Sequence, residues 1–181
     1  MTNVRYIIAL VITSFFAGCR PDFTAELNAA DSLTNVLNKV EASSNEVDAR
    51  LIKQYMNNVN EKCQKIQNEL TDTVEVEDAQ TLVSFCSLDE HLQSCLDRKE
   101  MIDAEVLRTR NQLFNLRSDL QEGRANKDSV NTYIEQEFLF VESLDEGTEQ
   151  MVVELNSCFE TYAELKDEID RFIIELPTKE D

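Results

Sequence analysis

Beyond its carboxylates, this 181-residue chain concentrates its side-chain chemistry in five cysteines and a single histidine. Cys63, Cys86, Cys95 and Cys158 can pair as disulfides or ligate a soft metal. His91 stands four residues before Cys95, close enough to share a helix face with it. The neighbouring Cys86, Asp89 and Glu90 complete no zinc-finger spacing, so His91 is expected as an exposed flank residue and no metal or other cofactor is expected. Calcium fares no better, because no EF-hand spacing occurs. Catalysis has little to stand on: there is no Trp, no Gly-rich phosphate cradle and no nucleophile elbow, and the carboxylates are scattered at helical spacings that single out no acid–base couple. The chain does not read as an enzyme.

The elements that must position these residues are legible because turn formers are scarce: three Gly and two Pro in the whole chain. Strands and many-loop folds want such residues at short intervals. Three long periodic segments remain, Thr24 to Leu70, Asp78 to Gln121 and Lys127 to Leu176, separated by "TDTVEVED" and "EGRANKD". In the second break Gly123 is a C-cap candidate, and Asn126 or Asp128 an N-cap for the helix that follows. "EASSNE", Glu41 to Glu46, could interrupt the first segment, but its apolar stripe reads as resuming in phase, so one helix is expected there.

Steps of four and three residues from Val130 land on Ile134, Glu137, Val141, Leu144, Thr148, Met151, Leu155, Cys158, Tyr162, Leu165, Ile169, Phe172 and Leu176, with Glu137 and Thr148 the polar exceptions. A seven-residue repeat sustained this far specifies coiled-coil-like packing with the seam buried. The second segment repeats it from Phe85 to Leu120, and the first from Ile52 to Leu70 with a looser run before. The expected fold is all-α: three long antiparallel helices in an elongated coiled-coil-like bundle over residues 24–176. Helices of ~45 residues make a rod of about 65 to 70 Å.

That geometry bears on the cysteines. In an antiparallel hairpin, residues at one level are symmetric about the turn. Cys63 and Cys86 centre on "TDTVEVED", and Cys95 and Cys158 on "GRANKD". Two cross-hairpin disulfides are therefore expected. Cys95 to Cys158 is the preferred pair, since both occupy seams, whereas Cys86 follows the seam residue Phe85 and faces partly outward.

At the N-terminus one cation, Arg5, precedes the apolar run "YIIALVITSFF", Tyr6 to Phe16. It falls short of the about 20 residues needed to cross a bilayer and is the size of a secretory signal core. The ending Phe16-Ala17-Gly18-Cys19 resembles the lipobox of bacterial lipoproteins, with Phe16 where Leu is usual. The resemblance covers residues 1 to 19. It implies a cleaved signal peptide (1–18), acylation of Cys19 and a lipidated tether over 19–23, and, through Arg20 in place of Asp, residence in the outer membrane. An exported chain meets an oxidising compartment, which favours disulfides. The tail "PTKED" (177–181) is expected to fray and lacks the terminal Lys by which the major murein lipoprotein joins peptidoglycan.

The formal charge is −19, and loss of residues 1–18 removes one cation to leave −20. Such acidity excludes nucleic-acid binding, which needs clustered Lys and Arg. Two non-enzymatic classes remain: a helical scaffold or adaptor reaching an envelope partner, as in a secretion or outer-membrane assembly complex, or an outward-facing binding protein such as an adhesin, immunity or exclusion lipoprotein. Either binds another envelope protein or itself. Phe114, Phe138, Phe140, Val152, Val153, Phe159 and Ile173 lie off the seams, and the expectation is that a residual strip, with Phe140 and Phe159 as its test positions, stays uncovered for a partner.

Overall fold

A computed structural model describes residues 22–70 and 75–176, without the side chain of Glu77. The expected signal peptide, Cys19, the tether up to residue 21, residues 71–74 of the first turn and the 177–181 tail lie outside the described residues.

Among the described residues, five helices build three arms. Helices α1 (Thr24–Glu46) and α2 (Ala49–Glu69) form the first, α3 (Val76–Cys86) and α4 (Leu88–Glu122) the second, and α5 (Val130–Glu175) the third. The result is an all-α bundle, with no strand among the described residues. Helix α1 packs on both α4 and α5, and α4 on α5, so the seams meet along one axis. Leu37, Val40, Ile52, Val59, Phe85, Leu92, Met151 and Ile169 are fully enclosed there. The 46 residues of α5 span roughly 69 Å.

The first arm departs from the expected single helix. Val47 and Asp48 leave helical geometry for extended backbone, and Asp48 caps α2 by accepting from the Arg50 N–H at 2.9 Å. Periodicity concealed this break because the stripe shifts by one residue instead of vanishing. The spacing of Leu33, Leu37, Val40, Ser44 and Val47 would bring Leu51 inward next, yet Leu51 is 41% exposed and Ile52 fully buried. The extended residues absorb the slip. Lys99 of α4 reaches across just before the break, donating to Ser44 Oγ at 3.3 Å and Asp103 Oδ2 at 2.9 Å, while Ser44 donates to Asp103 Oδ1 at 2.6 Å.

The second arm stays in phase. Ser87 interrupts it for one residue while keeping right-handed helical dihedrals, its hydroxyl donating to the Ser84 carbonyl at 2.9 Å. At the far end Gly123 adopts φ +71° and caps α4, a left-handed conformation that side chains with a Cβ resist. The Arg124 N–H then closes on the Asp119 carbonyl at 2.8 Å. Ser129 occupies the N-cap of α5 without a side-chain capping bond, its hydroxyl donating to the Asn126 carbonyl at 3.5 Å; Asn126 Oδ1 in turn accepts from the Asp128 N–H at 2.9 Å.

The two ends of the bundle differ. At one, Phe23, Ala30, Leu116, Leu120 and Val130 form their own cluster, which fixes the start of α1 beside the α4–α5 turn. At the other, Lys62 pairs with Asp170 and Thr81 bonds Glu168 at 3.2 Å, holding α2 and α3 to the last turns of α5.

Candidate functional site

The cysteines reverse the expected order of preference. Cys63 and Cys86 are bonded, with Cα atoms 5.9 Å apart, whereas Cys95 and Cys158 are free and buried. Asn60 and Asp89, hydrogen-bonded at 2.8 Å, are symmetric about the same point between positions 74 and 75 as the disulfide. Level alone therefore does not select a bond. A disulfide also needs Cβ atoms about 3.8 Å apart, and a half-buried pair beside the seam meets that here. The seam pair instead serves as two small apolar core residues.

Cys95 and Cys158 border a groove of about 500 Å³ between α4 and α5, together with Ser84, Ser87, His91 and Glu154. Arg98 of α4 pairs with Glu154 of α5 about one helical turn from the thiols, and the Arg98 guanidinium holds the Glu154 carboxyl below the usual carboxylate range. Burial pushes the Cys95 thiol up, and the Cys158 thiol is raised first by burial and then by the charge of Cys95. Both sulfurs are therefore protonated at neutral pH. His91 is exposed at the rim. Among the described residues, no three His, Cys, Asp or Glu side chains converge in a way that could hold a metal ion.

A second polar intrusion lies toward the Phe23 end. Glu137, on the seam of α5, is buried, and its Oε2 has no protein partner. Tyr133, one turn before it, has its hydroxyl pushed up to about 12 by burial first, then by the hydrogen bond and charge of Glu137.

Compared with protein families, curated proteins and solved structures, the chain matches none of them. Its functional reading rests on its own residues.

The expected apolar strip divides. Phe159 belongs to the core margin, its ring 4.6 Å from that of Tyr55, in a cluster continued by Tyr162 and Phe85. Val152 and Ile173 likewise pack on the core. Phe140 is half-buried beneath the Arg108 guanidinium, 5.5 Å from the ring centre. Phe159 and Phe140 are thus both only partly available to a partner. Phe114, Phe138 and Val153 are exposed, at 71%, 52% and 66%. Sequence reasoning passed over Met101, Leu107, Leu139, Val76, Val83 and Ile174, which are also exposed. Their signal was available in the sequence, since each falls away from its helix's seam as Phe114 does.

Proposed function

We propose that this chain is a lipid-anchored, non-enzymatic scaffold of the bacterial cell envelope, held at Cys19 and binding another envelope protein through its helix faces. The observation that carries the reading is the fixed start of α1. Phe23 is buried against Leu120 and Val130, four residues after Cys19, so an acylated Cys19 would bring the α4–α5 turn against the lipid. The opposite end, with the Cys63–Cys86 bond, would then stand roughly 69 Å away along α5. Three arms with a continuous core resist bending better than a single helix, which suits a spacer. Among the described residues no helix is long and apolar enough to cross a membrane.

Exposed Phe114 and Phe138, on a chain with a formal charge of −19, support a protein-binding role. The lipobox and Arg20 point to the outer membrane. Cys19→Ala tests the anchor. The variant is expected in the soluble fraction without a covalent lipid, because acyl chains on that one residue supply the membrane affinity. Membrane association of Cys19→Ala at wild-type level, without detergent, would overturn the reading.

A further inference from the structure

One part of the bundle does no work in this reading: the two unbonded thiols. A pair of cysteines buried in a helical seam is ordinarily inert packing, and either one alone would carry no inference. Three features distinguish these. They are symmetric about a point between positions 126 and 127, at the turn joining α4 to α5, and the Arg98–Glu154 pair, centred on 126, holds that register. They border the same groove. Cys158 is 7% exposed and Cys95 1%, which makes one thiol the entry point and the other its enclosed neighbour.

We propose that Cys95 and Cys158 are a redox-responsive dithiol, closing to a second inter-helix disulfide when a low-molecular-weight disulfide enters the groove between α4 and α5. Cys158 loses its proton and its thiolate attacks one sulfur of the oxidant R–S–S–R. A Cys158–S–S–R bond forms, the oxidant's S–S bond breaks, and R–S⁻ leaves and takes up a proton. Cys95, deprotonated in turn, attacks the Cys158 sulfur. The Cys95–Cys158 bond forms and the second R–S⁻ leaves. Two thiols are oxidised, one oxidant disulfide is reduced to two R–SH, and the protons lost by the cysteines are those gained by the leaving groups.

The consequence is mechanical. Cys63–Cys86 already ties the first arm to the second, and closure at Cys95–Cys158 would tie the second to the third. Every arm would then be covalently held against sliding. Attack needs a thiolate, so closure accelerates as pH rises; burial first and the Glu154 charge move that rise above the ordinary thiol range for both cysteines, while the Arg98 charge opposes it at Cys95.

The test uses the purified, folded full chain and oxidised glutathione as the probe, at about pH 8.5 where more thiolate is present. After quenching, denaturation and alkylation, non-reducing peptide mapping is expected to show a Cys95–Cys158 link, loss of both alkylatable thiols, and recovery of both with dithiothreitol. Cys95→Ser should halt the reaction at a glutathione adduct on Cys158. The proposal is overturned if both thiols stay alkylatable, if wild type accumulates adducts without the link, if either cysteine couples to Cys63 or Cys86, or if the link forms only in denaturant. Because an unacylated Cys19 would itself take up glutathione, the outcomes are read from the Cys95 and Cys158 peptides alone, and failure of the acyl-anchor reading leaves them unchanged.

Discussion

Tyr55 of α2 holds the ring of Phe159 of α5 at 4.6 Å between centroids, a contact between the first and third arms that makes Phe159 part of the core. Phe138, on the same helix and equally apolar, is 52% exposed. Two phenylalanines on one helix thus have opposite roles, and substitution separates them.

Phe159→Glu is expected to destabilise the bundle by about 3 kcal/mol, since it removes an aromatic contact and forces a carboxylate against apolar side chains. Phe138→Glu and Phe114→Glu should shift stability by no more than about 0.5 kcal/mol while weakening association with a partner. Thermal melts followed by circular dichroism, alongside in vivo crosslinking, compare the three. Equal melting losses for Phe138→Glu and Phe159→Glu would contradict the assignment of surface and core.

The Cys63–Cys86 bond closes a loop with a sequence separation of 23. Chain-entropy reasoning gives a stabilisation of about 3 kcal/mol for a loop of that size. Replacing both cysteines with serine should lower stability by that order without loss of helix, measured by urea unfolding of the two forms side by side. An unchanged midpoint would show that the bond contributes nothing to the folded state.

Gly147 lies inside α5 with open space around a Cβ position and no unusual backbone angle. Alanine there removes backbone freedom from the unfolded chain and improves helix propensity, so Gly147→Ala is expected to stabilise the bundle by about 1 kcal/mol. A lowered melting temperature would mean that the glycine answers to a contact the bundle makes elsewhere.

Alkali should expose the strain at Tyr133. Its hydroxyl is raised from 10.0 to about 12 in the folded chain, so its contribution to stability is complete below pH 10.0 and is lost as pH rises toward about 12, where the unfolded chain ionises first. Ultraviolet titration should show a late-ionising tyrosine that disappears in Tyr133→Phe, and the variant should lose less stability across that window than wild type. A Tyr133 that ionises with the other tyrosines would remove the basis for this.

How much of this was legible beforehand varies with the scale of the question. The α4–α5 turn was readable because Gly123 alone supplies the left-handed residue that a helix end of this kind favours, and α5 because its seam runs from Val130 to Leu176 with few polar interruptions. The break between α1 and α2 was not, since Val47 and Ile52 are both buried and a stripe that slips by one residue resembles a stripe that continues. The symmetry of Cys95 and Cys158 about the turn is legible and favours a disulfide, yet the two are unbonded.

By itself the sequence determined an all-helical chain of three arms, where the arms turn, which faces are apolar and how acidic the surface is. These follow from local propensity, capping chemistry and periodicity, which act over a few residues and are written along the chain. Only the tertiary structure decided that Cys63 bonds Cys86 while Cys95 and Cys158 stay unbonded, that Leu51 turns out where Ile52 turns in, and that Phe159 is partly covered while Phe138 is exposed. Each depends on how one helix is rotated against its neighbours. A rotation that moves a side chain by a few ångströms leaves the heptad pattern unchanged, yet it decides whether two sulfurs meet and whether a ring at the edge of the seam finds a partner or water.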